Sequence, residues 1–339
     1  MKRWLFATVS LAMLVACSTG DPTGTTTGAA PTTAATPAPT TAVTTSPPTT
    51  SVPVTTVAAT GFPVSVSVGG RDVEITEPPE RIASLSATHT EVLFALGAAD
   101  QVAAVDMFST SPPEASEKEQ IDAFELNVEA VAALEPDLVI LAFDPGDAVA
   151  GFEALDIPVL LFDAPTDLDG AYAQWEVLGA ATGRVAEAAS LVAETITSVD
   201  RAVEGVPAAE HPATYYYELD PTLYTATSGT FIGSLFSRFG MENIADPADP
   251  DATGFPQLSP EAVIDADPDL IYLADTQCCQ QDAAAVAERP GWDTLGAVER
   301  GDIVELPDDV ASRWGPSVVE LAEMIGASLE RHLEHGTEP

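Results

Sequence analysis

Residues 129–142 read EAVAALEPDLVILA, and 132 positions further on residues 261–274 read EAVIDADPDLIYLA, identical at eight of the fourteen positions. Most of the others exchange one apolar or acidic residue for another. The strand-like IASLS at 82–86 also has a counterpart at nearly the same offset, YYYEL at 215–219. Self-similarity of this kind means one supersecondary plan used twice. Two similar halves are expected to leave a cleft between them and to enclose something in it.

Around the repeats the hydrophobic pattern alternates strand with helix. The first half runs IASLS, a helical THTEVLFALG, VAAVD, NVEAVAAL, LVILAF, a helix near 147–155 and VLLFD. The second runs TYYYEL, a helix near 231–239, PEAVIDA, LIYLA, a helix near 283–288, IVELP and a closing helix at 317–333. Strands alternating with helices of this length specify parallel sheets covered on both faces. Between the halves Ala188, Val192, Ile196, Val199 and Val203 form a helical stripe that no Gly or Pro interrupts, so one long helix is expected to join the lobes. The fold class is α/β: two similar lobes, each a parallel sheet flanked by helices, at 61–183 and 207–339, joined by a helix at 184–206. The alternating VSVSV and DVEI within 62–75 are expected to make a short exposed hairpin, a lid or edge outside the core.

The chain opens with Lys2 and Arg3, an apolar run to Ala16, and Cys17. That run is too short to span a bilayer and reads as an export signal over 1–16. Leu14-Val15-Ala16-Cys17 resembles the bacterial lipoprotein signal, in which Cys17 becomes the lipid-modified N-terminus; an ordinary secretory signal with an incidental cysteine is the alternative. Residues 18–60 hold seventeen Thr and seven Pro with Asp21 the only charge, too little apolar surface to offset chain entropy. Residues 17–60 are therefore expected to be a disordered tether, reaching about 35 Å as a flexible coil. A net charge of −41 excludes binding through nucleic-acid phosphates, and electrostatic adhesion to anionic lipid with it. The remaining cysteines, Cys278 and Cys279, are adjacent; in an exported chain they are expected to form a disulfide. A metal site is not expected there, because two thiolates with no nearby histidine fall short of four-coordinate zinc.

In open α/β sheets ligands bind beyond the carboxyl ends of the strands. In the first half this selects Ser86, Thr88 and His89 after IASLS, Met107 and Phe108 after VAAVD, and Phe143 after LVILAF. In the second it selects Tyr217 and Glu218 at the end of TYYYEL, Cys278 and Cys279 after LIYLAD, and Arg313 and Trp314 after IVELP. So many aromatic residues suit a large flat or macrocyclic ligand. Phe108 and Phe143 could equally close the core, at most one or two of Tyr215, Tyr216 and Tyr217 can face a ligand, and His89 could ligate a metal centre or act only as a polar contact. There is no G-x-S-x-G elbow and no H-E-x-x-H. His332 and His335 share a helix face near the C-terminus and read as solvated. No catalytic residue, resident metal or cofactor is assigned, and the chain is not read as an enzyme.

The ordered motifs RIASLSATHTEVLFALGAADQVAAVD, SPPEA, NVEAVAALEPDLVIL, LSPEAVIDADPDLIYL and RWGPS together resemble the helical-backbone (class III) binding proteins of bacterial ABC importers for cobalamin, ferric siderophores and haem. The resemblance spans about 81–333, and the spacing from SATHTE through DMFSTSPPEA to NVEAV is most similar to the cobalamin-binding members. It implies a monomer, lipid-anchored at the extracytoplasmic face of the cell membrane, that delivers a metal chelate to a permease dimer with its ATPase. It also implies that Glu129 and Glu261 dock onto that permease. Each lies just inside a helix start, behind Asn127 and Ser259, where complementing the helix dipole would be reason enough for a carboxylate. Among the strand-end loops only Arg313 is cationic, so an anionic catecholate chelate is disfavoured. A corrinoid such as cobalamin is expected, with a ferric hydroxamate or haem as the alternative and a stalked surface adhesin as the remaining one.

Overall fold

The computed structural model describes residues 61–209 and 211–335; the export signal, Cys17 and the tether expected at 1–60 lie outside the described residues. A hairpin of β1 (Val64–Val68) and β2 (Arg71–Ile75) precedes two separate sheets. The first contains β3 (Ile82–Leu85), β4 (Val102–Asp106), β5 (Glu119–Ile121), β6 (Leu138–Leu141) and β7 (Val159–Leu161), all parallel, in the order β5-β4-β3-β6-β7. Helices α1 (Ala87–Ala95), α2 (Val128–Ala132) and α3 (Ala148–Glu153) connect them. The chain then crosses through α4 (Leu168–Thr182) and α5 (Val185–Glu204). The second sheet holds β8 (Thr214–Glu218), β9 (Glu242–Asn243), β10 (Leu270–Leu273) and β11 (Ile303–Glu305), parallel in the order β11-β10-β8-β9. Around it lie α6 (Phe231–Arg238), α7 (Pro260–Ala266), α8 (Ala283–Ala287), α9 (Gly296–Arg300), α10 (Asp308–Ser312) and α11 (Val318–His335).

The sequence repeat is a helix-to-strand unit in both lobes, α2 into β6 and α7 into β10. Each helix starts where its cap dictates: Asn127 Oδ1 accepts the Ala130 amide at 2.9 Å and Ser259 Oγ the Ala262 amide at 3.1 Å, replacing a donor partner the helix itself lacks. Each following strand pairs with the first strand of its lobe, Leu141 beside Leu85 and Leu273 beside Glu218. Both strands are wholly buried, as strands of a sheet covered on both faces must be. Strand order reverses between β3 and β6 in the first sheet and between β8 and β10 in the second. Those are the switch points at which such sheets hold ligands.

Alternation along the strands divides the core into three. Ala83, Val131, Val139 and Phe152 fill the outer face of the first lobe, and Tyr216, Val263, Ile271 and Trp292 that of the second. Their strand neighbours Ile82, Ile140, Tyr215, Tyr217 and Tyr272 point the other way, into one continuous cluster with Leu93, Trp175, Val199, Phe236 and Leu321. That cluster belongs to both lobes at once, with α4, α5 and α11 as its middle layer.

Two features differ from the sequence-based expectation. The β1–β2 hairpin is not outside the core: Val64, Val66, Val68 and Ile75 are buried in the shared cluster, so the apolar face of the alternation lies against protein rather than water. Helix α4 has no counterpart in the hydrophobic pattern, because it is buried nearly all round and carries Gly170 and Gly179 inside it, which erases the one-sided stripe that marks a surface helix. Gly179 lets α4 and α5 touch: a Cβ there would lie 2.4 Å from the Ala188 Cβ. Alanine is the better helix former by about 1 kcal/mol, but overpacking costs about 1–3 kcal/mol. Gly179→Ala is therefore expected to lower the urea midpoint; an unchanged or higher midpoint would mean that the helices can separate to admit a methyl.

Candidate ligand-binding site

The carboxyl ends of the first sheet carry an open aromatic wall. Phe108 follows β4 and Phe143 follows β6, 51% and 38% exposed, with Met107 also exposed. Between them stands Phe124, 66% exposed, edge-on to Phe108 at 5.9 Å and 5.0 Å from Phe143. Asp122 fixes its turn, Oδ1 accepting the Phe124 and Glu125 amides at 2.9 and 3.1 Å. Sequence reasoning missed Phe124 because its strand, EQI, has two polar residues in three and does not read as a strand. In the second lobe Tyr224 and Phe255 are exposed on the segments that extend β8. Clustered exposed aromatics of this kind mark binding surfaces.

Other residues selected from the strand ends lie behind the wall. Ser86, Thr88 and His89 are buried. His89 has both nitrogens engaged, Nδ1 with Ser86 Oγ at 2.7 Å and Nε2 with Gln174 Oε1 at 3.2 Å, and its ring stacks on Phe162 at 4.3 Å. Burial lowers its pKa to about 4, with the Gln174 bond opposing, so the imidazole is neutral and structural in setting. Tyr217 is buried and donates to the Ala311 carbonyl at 2.7 Å. Glu218 is fully buried and accepts both arms of Arg289, at 2.6 and 2.5 Å, while Arg289 lies 4.6 Å over the Trp292 ring.

Arg313, 5% exposed, reaches across to the first lobe. Its Nη2 donates to the Phe108 carbonyl at 2.6 Å and to Thr110 Oγ1 at 3.2 Å and pairs with Asp309, which also accepts from Thr110. Nη1 is buried without a partner. Trp314 is half-buried, donating from Nε1 to Gln174 Oε1 at 2.9 Å and accepting Trp175 Nε1 on its carbonyl at 3.1 Å. These contacts bring the strand-end loops of the two lobes together beside the wall.

Cys278 and Cys279 sit at the rim as free thiols, so the expected disulfide is not formed in the structure. Their backbone is committed elsewhere: Asp308 accepts the Gln277 and Cys278 amides at 2.8 and 2.7 Å, and the Asp275 carbonyl accepts the Cys279 amide at 3.2 Å. Desolvation, the neighbouring thiol and Asp308 together hold the Cys278 thiol well above its usual range. Glu129 and Glu261 are exposed in the first turns of α2 and α7.

Among the described residues no cluster of His, Cys, Asp and Glu is disposed to hold a metal ion. A recess of about 1110 Å³ lies at the opposite, amino end of the first sheet, and seven of its fifteen lining residues are carboxylates, with no basic side chain. No aromatic ring lines it, and a lining so rich in carboxylates suits a large, mainly apolar ligand less well than the strand-end wall does, so the wall is the better candidate.

Two lobes whose strand-end loops meet beside an exposed aromatic wall have the architecture of a ligand-binding protein. The chain belongs to the periplasmic binding protein family, whose sequence profile matches residues 82–310. Members of this class III type capture a small ligand on the extracytoplasmic side for an ABC importer, and they are not catalysts. The chain is 29% identical over 278 residues to the uncharacterized ABC transporter substrate-binding lipoprotein YvrC of Bacillus subtilis, covering 79% of this chain and 86% of the relative. It is 31% identical over 281 residues to the cobalamin-binding protein of Halobacterium salinarum, covering 79% and 75%. A solved structure described as a possible iron-binding (periplasmic solute-binding) protein from Staphylococcus epidermidis superimposes with a TM-score of 0.65 at 25% identity, over 74% of this chain and 98% of that one.

One buried group near the rim has a measurable consequence. Asp275 is fully buried just beyond β10, and neither carboxylate oxygen has a donor. Burial first, and the Glu218 carboxylate next, raise its pKa from 3.8 to about 7. The folded state therefore holds this proton where the unfolded state has lost it. The contribution is intact below about pH 4, is lost as pH rises towards 7, and stays lost above it. Asp275→Asn is expected to gain stability over the parent at pH 8, a gain that shrinks steadily towards pH 4 in guanidinium unfolding. A difference that does not vary with pH would refute the assignment.

Proposed function

We propose that the protein captures a corrinoid of the cobalamin class between its lobes and passes it to the permease dimer and ATPase of an importer. The observation that carries this reading is the wall of Phe108, Phe124 and Phe143, three exposed rings joined in series through Phe124, beside which the strand-end arginines are already engaged, Arg313 with Phe108, Thr110 and Asp309 and Arg289 with Glu218. Such a surface favours a broad ligand without net negative charge. The cobalamin corrin, edged by neutral amides, meets both conditions, whereas haem propionates and catecholates would want free guanidinium groups. The likeness to the Halobacterium cobalamin-binding protein points the same way. A ferric hydroxamate is also free of net negative charge and is the second reading, favoured by the likeness to the Staphylococcus epidermidis protein.

In this reading the ligand touches Met107, Phe108, Phe124 and Phe143 on one side and Trp314, Tyr224 and the Cys278–Cys279 rim on the other. Ser86, Thr88, His89, Tyr217, Glu218 and Arg313 shape the cleft from behind. The lobes are assigned to 61–183 and 207–339 with the connecting helix at 184–206, and the monomer is held to the membrane by a lipid on Cys17 through residues 17–60 once the signal over 1–16 is removed.

Calorimetry with cyanocobalamin is expected to give saturable one-to-one binding, weakened by about 1–3 kcal/mol in Phe124→Ala, as for loss of a large buried side chain. No heat with cyanocobalamin but saturable binding of a ferric hydroxamate would put the second reading in its place. Glu129 and Glu261 are proposed to contact arginines of the permease. Reversing both to Arg is expected to abolish uptake by cells while ligand affinity in the isolated protein stays within experimental error. Loss of the two dipole contacts costs the fold only about 0.3–1 kcal/mol each, so normal uptake by the folded double variant would exclude docking through these residues.

A further inference from the structure

The SATHTE and RWGPS segments lie 226 residues apart and on different lobes, yet they meet at one seam. Glu91, on α1 of the first lobe, is 7% exposed. Its carboxylate accepts the Ser317 amide on Oε1 at 2.7 Å and the Ser317 hydroxyl on Oε2 at 3.1 Å. Ser317 immediately precedes α11, the 18-residue helix that closes the second lobe. A carboxylate of one lobe thus satisfies an amide at the start of the other lobe's helix, where the helix dipole also favours negative charge. The turn that carries Ser317 to this position passes Glu91 so closely that a Cβ on Gly315 would lie 2.5 Å from Glu91 Oε2. Glycine is required here for close approach and not for its backbone angles. The neighbouring residues are fixed to the same lobe: Trp314 through Gln174 and Trp175, and Arg313 through Phe108 and Thr110.

We infer that Glu91 is a positioning residue for the cleft: by holding the Gly315–Ser317 turn it sets how far the Arg313–Trp314 loop stands from the first lobe, and hence the width available to the ligand. Nothing in the bonding requires Glu91 to touch the ligand. The charged groups that act on it are Arg313, which opposes the rise in its pKa caused by burial, and Asp309, which adds to that rise. The effect on ligand affinity rests on the functional reading given above; the effect on the turn does not.

Amide hydrogen exchange separates the two. In Glu91→Ala the Ser317 and Val318 amides are expected to exchange at least about tenfold faster while those of Tyr215 to Glu218 keep their parent rates, and cyanocobalamin affinity is expected to fall about tenfold, the order of one lost hydrogen bond to a charged group. Glu91→Gln, which keeps the shape and an acceptor, is expected to recover most of both. Should Glu91→Ala fail to fold, Ser317→Ala, which removes only the hydroxyl bond, is expected to show a smaller local acceleration with the strands unchanged. Parent-like exchange at Ser317 and Val318 in these variants, or equal acceleration at every amide, overturns the inference. If the parent protein does not bind cyanocobalamin, the corrinoid reading fails, and the exchange rates alone decide the role of Glu91.

Discussion

Everything in this structure depends on an apolar cluster that does not respect the boundary between its lobes. Ile82 and Ile140 come from one sheet, Tyr215 and Tyr272 from the other, and Trp175, Val199 and Leu321 lie between them. Apolar burial contributes about 25 cal/mol per Å² removed from water, and here a single buried volume draws on both halves of the chain. Separating the lobes would expose part of that volume, so the crossing is a packed layer and not a flexible strap. The close contact of α4 with α5 at Gly179, with no room for a methyl group, is the local expression of the same constraint.

On that frame the polar groups divide by position. Those behind the strand ends are buried and nearly all have partners: His89 with Ser86 and Gln174, Glu218 with Arg289, Glu91 with Ser317. A buried charge or amide without a partner costs more than its bond would return, so these groups are positioned tightly and in turn fix the loops above them. The groups in front of them are apolar rings left open to water. An exposed wall on a rigid support is a surface whose shape does not have to be made when a ligand arrives, which reduces the ordering cost of association.

The sequence made the scaffold legible because periodicity and repetition act locally. EAVAALEPDLVILA and EAVIDADPDLIYLA follow their own caps and carry strand patterns, and the stripe on α5 marks its packed side at Ala188 and Val199 although Ile196 faces water, so two lobes, parallel sheets and a long joining helix could be read without contacts. What it could not convey was pairing across distance. Arg313, His89 and Glu218 were found at the right ends of the right strands, but whether each is free or engaged depends on Phe108, Gln174 and Arg289, far away in the chain. Phe124 escaped because a three-residue edge strand leaves too little pattern, α4 because complete burial removes amphipathicity, and the hairpin because an alternating segment does not say what covers its apolar side.

The shared core also determines how affinity is distributed over time. A binding protein that spends most of its life widely open has its apparent affinity reduced by the fraction of molecules in the competent form. One whose lobes share a packed core has less freedom to open widely, which limits that loss. The same packing disfavours spontaneous wide opening as a route of release. Any wide separation of the lobes must do work against the interlobe core, which sets a cost on release by opening.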